Sequence, residues 1–204
     1  MSGARAAVSV GSNVGDRLAH LQAAVDGLHG APGVDVVAVS SVVETDPVGG
    51  PDQPDFLNAV VALDLTLGTN PEAAAVDLLE ALKGLERSFG RQARERWGPR
   101  ELDLDLLVFG RHRISVERPP AATPDSASLH RAEAARLLEV PHSSMRERLF
   151  VLAPLADLTP RLVPPGWRET VETARRRQLA IEGDNAVTLI GTWSDGRWQH
   201  MTSR

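Results

Sequence analysis

The hydrophobic pattern of residues 1–110 resolves into six segments. Residues 6–10 form a short apolar run that reads as a buried strand, and Gly11-Ser12-Asn13 ends it. From Asp16, apolar positions Leu18, Leu21, Val25 and Leu28 recur at helical spacing, and Pro32-Gly33 stops that helix. Residues 34–43 are rich in β-branched side chains and predict one strand. Residues 45–55 hold three prolines and two glycines and predict an irregular loop, after which 56–67 predict a long strand. Asn70 before Pro71 is a helix start, because the asparagine can accept from free N–H groups and the proline has none to leave unpaired. Leu78, Leu79, Leu82 and Leu85 form that helix's buried stripe, Gly90 stands where a C-terminal cap is expected, and 102–109 predict a further strand.

The order β-α-β-β-α-β predicts an α+β, ferredoxin-like core: a mainly antiparallel sheet with helices packed on it. Beyond Arg118 the pattern weakens. Residues 119–128 read as a linker, 129–139 as a short helix (Leu129, Ala132, Leu137 and Leu138), 147–158 as a helix, 168–179 as a helix and 186–193 as a strand. No internal repeat is visible, so a single domain over 1–204 is expected.

Composition narrows the class. Apolar residues are 42% of the chain, enough for a core, and there is no cysteine, which removes disulfides, thiolate metal sites and thiol nucleophiles and suits a reducing cytoplasm. The early apolar run is too short for a signal peptide or a membrane span. The net charge of −5 argues against a broad nucleic-acid surface. Lys83 is the only lysine, while Arg91, Arg94, Arg96 and Arg100 crowd one loop, a pattern suited to a local anion site.

That loop runs into Leu102-Asp103-Leu104-Asp105-Leu106. On a strand both aspartates face one way, their Cα atoms about 6.6 Å apart from a rise of ~3.3 Å per residue. Carboxylates so spaced can flank two cations, and arginine forks bind phosphate oxygens bidentately, so the pair of features points to phosphoryl transfer. Leu107 and Phe109 are expected further along the same face. No Gly-x4-Gly-Lys-Ser/Thr motif is present, so a bound nucleotide would be held by arginines, metal and backbone groups. A magnesium-dependent nucleotidyltransferase on the same fold, a binding module and a catalytically inactive relative that only binds its ligand are the competing readings.

The motifs in chain order resemble the 6-hydroxymethyl-7,8-dihydropterin pyrophosphokinase family of folate biosynthesis. They are Gly11-Ser12-Asn13; Thr45-x-Pro47-x-Gly49; Asp52-Gln53-Pro54-Asp55-Phe56-Leu57-Asn58; Glu86 with Gly90-Arg91; Arg96-Trp97-Gly98-Pro99-Arg100-x-Leu102-Asp103-Leu104-Asp105; Val140-Pro141-His142; and Arg148-x-Phe150-Val151-Leu152. The resemblance implies transfer of pyrophosphate from ATP, as co-substrate, to the pterin hydroxymethyl group, with release of AMP. It implies two Mg2+ ions on Asp103 and Asp105. Arg91 and Arg100 would join these two aspartates as catalytic residues. Glu86, Arg91, Arg96, Arg100, His142 and Arg148 would meet ATP. Thr45, Pro47, Val48, Phe56, Asn58, Trp97 and Phe150 would meet the pterin, with Trp97 on a closing loop. A cytoplasmic monomer acting on small molecules, with no nucleic-acid or membrane partner, is expected.

The chain departs from the family pattern in five places. The loop between Arg91 and Trp97 is one residue short, leaving Arg94 and Arg96 as candidates for the displaced arginine. Val43 stands where an aromatic is usual, and Ser143 where tyrosine or proline is common. An insertion occupies about 119–138, expected as a short helix near the ATP entrance or at a subunit contact. A C-terminal extension begins near 165.

Overall fold

The computed structural model describes residues 3–47, 53–66, 70–89, 98–118 and 136–200. Its first part runs β1 (Gly3–Ser12), α1 (Arg17–His29), β2 (Val34–Val39), β3 (Val42–Thr45), β4 (Phe56–Thr66), α2 (Pro71–Ser88) and β5 (Asp103–Phe109). Asp16 caps α1 by accepting from the Ala19 N–H at 3.1 Å, and Asn70 caps α2 by accepting from Glu72 and Ala73. The strands order as β5-β1-β4-β3, with β2 also on β4, and all pairings are antiparallel. This is the ferredoxin-like sheet that the element order predicts.

The second part runs β6 (Ile114–Glu117), β7 (Arg136–Val140), a 3-10 turn (Met145–Glu147), α3 (Leu149–Leu158), α4 (Val171–Glu182), β8 (Thr188–Ser194) and β9 (Arg197–His200). The chain end joins the main sheet: β8 pairs with β3, and β9 with β8. Trp198 is buried and donates its indole N–H to the Ser40 carbonyl at 2.8 Å.

Two cores sandwich the sheet. On one face Leu21 and Leu28 of α1 and Leu78 and Leu82 of α2 pack on Val8, Val10, Leu104 and Leu106. On the other, Met145, Leu152, Leu155 and Val171 pack on Ala7, Val60, Leu107 and Val108. Both faces of β1, β4 and β5 are therefore largely removed from water, and any polar side chain there needs a partner or a ligand.

Four expectations need correction. The strand expected over 34–43 is two strands, because the Ser40 hydroxyl stands in for its carbonyl in the ladder. The Ser40 N–H still donates to the Val60 carbonyl at 2.9 Å, but the carbonyl of Ser40 is taken by the Trp198 indole. The Ser40 hydroxyl donates to the Ser41 carbonyl and accepts from the Val60 N–H. Residues 136–139, expected as helix, belong to β7, which pairs with β6 so that Leu138 and Val140 are buried on alternate positions; the rest of the insertion expected over 119–138 lies outside the described residues. The helix expected over 168–179 is shifted, starting after its Thr170 cap. Phe109 does not share a face with Asp103 and Asp105. The register against β1 passes from Ala7↔Val108 to Val8↔Leu106, so Leu107 is the extra residue of a β-bulge. The bulge reverses the alternation: Leu107 lies on the aspartate side and Phe109 drops into the α1–α2 core, fully buried.

Among the described residues no helix is long and apolar enough to cross a membrane. The bulge is testable by mutation. Phe109→Ala should cost ~3–5 kcal/mol in urea unfolding, the penalty of a large aromatic removed from a closed core.

Candidate active site

The register of β1 with its two neighbours builds the site. Asp103 lies opposite Gly11, Asp105 opposite Ser9, and Gly11 in turn opposite Asn58 on β4. One lateral row therefore reads Asp103, Gly11, Asn58. Two interstrand steps of ~4.8 Å separate its ends by roughly 10 Å. Between them the floor is bare. A Cβ on Gly11 would come 3.0 Å from the Asn58 Oδ1 and 3.9 Å from Phe56 Cδ1. A cavity of about 270 Å³ stands over this floor, and its lining includes Thr45, Phe56 and Asn58 on one side and Arg100, Asp103 and Asp105 on the other. His142, Arg148 and Phe150 close it from the α3 side.

Each side chain is aimed by a partner. Asn58 donates from Nδ2 to the Thr45 hydroxyl at 2.9 Å, which leaves its carbonyl oxygen over Gly11. The guanidinium of Arg148 lies 5.7 Å from the Phe150 ring centre, within cation–π range. His142 donates its backbone N–H to the Leu107 carbonyl, at the bulge, at 2.9 Å. Arg100 pairs with Asp103.

Asn13, buried at the end of β1, joins the two halves. Its amide donates to Gln53 Oε1 and to the Pro54 carbonyl, while its Oδ1 accepts from the Arg100 N–H at 2.7 Å. The loop before Phe56 and the loop before Asp103 are thus fastened to one side chain.

The two carboxylates are driven apart electrically. Burial and the adjacent Asp105 charge push Asp103 above the usual carboxylate range, against the pull of Arg100 and Lys83. Burial acts on Asp105 too, but Lys83, His142, Arg148 and Arg100 outweigh it and hold Asp105 below that range. Arg100 loses some charge stability to burial and regains more from Asp103, so its value lies above the ordinary one.

Among the candidate residues, Thr45, Phe56, Asn58, Arg100, Asp103, Asp105, His142, Arg148 and Phe150 line this cavity together. Pro47 is described but is not part of the lining. Glu86 is not brought to it either. At 1% exposure it sits behind β5, accepting from the Leu104 N–H and from Lys83 at 2.8 Å each. Val48, Arg91, Arg94, Arg96 and Trp97 lie outside the described residues. Lys83 escaped the sequence reading. It donates to the Leu104 carbonyl at 2.8 Å and lies 3.7 Å from Asp105. Its three-residue spacing from Glu86 marked a shared helix face, but nothing in the pattern told which strand that face meets.

Comparison with known proteins decides the family. Residues 7–160 match the model of 7,8-dihydro-6-hydroxymethylpterin-pyrophosphokinase (HPPK). The chain belongs to this family. It is an ATP-dependent pyrophosphokinase of folate biosynthesis, as the resemblance of its ordered motifs implies. It is 40% identical over 168 residues to the 2-amino-4-hydroxy-6-hydroxymethyldihydropteridine pyrophosphokinase of Pseudomonas aeruginosa, covering 82% of this chain and 88% of that one. With the Bacillus subtilis protein of the same name it shares 43% over 151 residues, 74% of this chain and 75% of that one. A crystal structure of an HPPK-DHPS in complex with substrates aligns with TM-score 0.71 at 11% identity over 100% of this chain, a likeness of fold. The chain spans 50% of the length of that protein.

The floor and the carboxylates give two tests. Gly11→Val should fold but lose pterin-dependent turnover, because its side chain collides with Asn58 Oδ1; circular dichroism and an activity assay separate the two. Asp103→Asn should raise the melting temperature of the metal-free protein at neutral pH. The raised value means that ionised Asp103 costs stability above it; this cost shrinks as pH falls through the raised value and is gone below the unfolded carboxylate value near 3.8. The gain over the parent should accordingly disappear in acid.

Proposed function

We propose that the cavity over Gly11 holds the dihydropterin beside Asn58 and the ATP phosphates beside Asp103 and Asp105, with the hydroxymethyl group between them. The observation that carries this reading is the row Asp103–Gly11–Asn58, which sets a bare floor between a polar amide and a carboxylate pair. Phe56 and Phe150 flank the ring, for which aromatic walls supply area and stacking. The Asn58 carbonyl accepts from the amino edge of the pterin, its orientation held by Thr45. Val48 and Trp97 belong to the same half by resemblance.

The donor set fits magnesium. Asp103 and Asp105 face one side, Asp105 is kept ionised, and among the described residues no cluster of three acidic or histidine ligands exists, so the ions would be completed by phosphate oxygens and water. Two magnesium ions held there would neutralise charge on the transferring phosphates. Arg100, Arg148 and His142 bind phosphate oxygens, with Arg91 and Arg96 joining from the loop. The hydroxymethyl oxygen attacks the β-phosphorus, the bond to the α-phosphate oxygen breaks, and AMP leaves. Asp105 is a weak base at neutral pH, and a loose transition state asks little of one. Lys83 and Glu86 act from behind, pinning the backbone of Leu104 so that its two neighbours keep their aim. We read the enzyme as a monomer acting on small molecules in the cytoplasm, which its cysteine-free composition suits.

The test is AMP formation from ATP with and without 6-hydroxymethyl-7,8-dihydropterin. AMP should require the pterin, vanish in EDTA and return with magnesium. Asp103→Ala and Asp105→Ala should each lower kcat/KM by more than about 100-fold, beyond the effect of losing an outer-shell metal partner. Asn58→Ala should raise the pterin KM and leave the ATP KM near the parent's. Pterin-independent AMP would refute the assignment.

A further inference from the structure

The family match ends at residue 160, yet the chain continues through α4 and the β8–β9 hairpin. This extension touches both walls of the pterin half from outside. The first wall is α3, which carries Phe150. Its N-cap residue, Arg148, makes no side-chain cap bond; the Leu149 N–H instead donates to Glu182 Oε1, in the last turn of α4, at 3.2 Å. Gln178 holds that carboxylate by donating to the same oxygen at 2.8 Å. The second wall is β3 with β4, carrying Thr45, Phe56 and Asn58. β3 has four residues and pairs with β8 along its outer edge, Glu44 opposite Thr188 and Val43 opposite Leu189. The hairpin is secured further by Trp198 on Ser40.

Only residues 183–187 separate Glu182, fixed to the α3 wall, from Thr188, fixed to the β3 wall. A link that short restrains the distance between the elements it joins. At its far end α3 is also tied to this strand: Asp157 accepts from the Ser41 N–H at 2.8 Å. We infer that Glu182–Thr188 is a clasp that sets the width of the slot between the Phe150 helix and the Thr45–Asn58 strands, and so acts as a positioning element for the pterin. The slot must match the thickness of a flat ring for both faces to make contact at once, so a width held in advance spares the bound state the cost of closing. This rests on the proposed assignment of the pterin to that half of the cavity.

The experiment lengthens the clasp in the full chain by two glycines between Asp184 and Asn185. Loop extension of that size costs little stability. The pterin KM should rise at least about threefold, since small misplacements of positioning walls are costly, while the ATP KM and the melting temperature stay near the parent's. The same insertion between Asp195 and Gly196, in the β8–β9 turn, should leave the pterin KM unchanged. Glu182→Ala should also raise the pterin KM, and Glu182→Gln, whose amide oxygen can still accept from Leu149, should restore it. An unchanged pterin KM in both the lengthened and the Glu182→Ala chains overturns the clasp. So does an equal effect of the control insertion, or a parallel rise in both KM values with a fall in melting temperature. Should the unaltered chain itself form no pterin-dependent AMP, the reading of the site fails instead.

Discussion

β1 is hydrogen-bonded along both edges, to β4 and to β5, and the floor of the site, with Asn58 on one side and Asp103 and Asp105 on the other, takes its place from that double registry. A one-residue slip flips every side chain of the strand that slips, so a slip of β5 would turn Asp103 and Asp105, and a slip of β4 would turn Asn58, into the α1–α2 core. The apolar burial of Val8, Val10, Leu104 and Leu106 on that core face makes such a slip prohibitive. The chemistry is thus held by hydrophobic contacts on the side of the sheet where no chemistry happens. Gly11 completes the arrangement, since any other residue at the centre of the row would fill the floor.

Charge is the second constraint. Two carboxylates on one strand face repel each other, and burial aggravates the repulsion. The structure divides the cost unequally. Asp105 faces Lys83, His142 and Arg148, while Asp103 relies chiefly on Arg100. With its value raised, ionised Asp103 costs the protein stability, and a cation placed beside it would relieve that cost. Lys83 serves both constraints, as a counter-charge for Asp105 and as a donor to the strand that carries it.

The extension beyond residue 160 changes what would otherwise be an edge of the sheet. A four-residue strand with a free edge fixes its side chains poorly, and β3 carries a residue that orients Asn58. Pairing with β8 turns β3 into an interior strand, and the cap supplied by Glu182 gives α3 an acceptor that its own sequence lacks. Both additions act on geometry around the cavity and leave its lining untouched.

Much of this was legible in the chain. Apolar and β-branched runs located the core strands, which are covered on both faces, and 3.6-period apolar positions located the helices, because each element must bury apolar side chains in a pattern set by its own geometry. The Asp103–Asp105 pair was legible from local spacing, and the cavity residues from Thr45 to Phe150 from the resemblance of their motifs to a known family. Other features depended on contacts between distant segments and left no local trace. The bulge that turns Phe109 away from the aspartates exists only in the register with β1. The break at Ser40 depends on a bond to Val60, and the strand at 136–140 on a partner at 114–117. Glu86 read as a nucleotide contact, but only the packing of α2 on β5 revealed it as the anchor of Leu104. Local periodicity specifies which face of each element is apolar; which elements meet, and in what register, is decided by the global minimum of buried area and satisfied backbone groups, which no single segment contains.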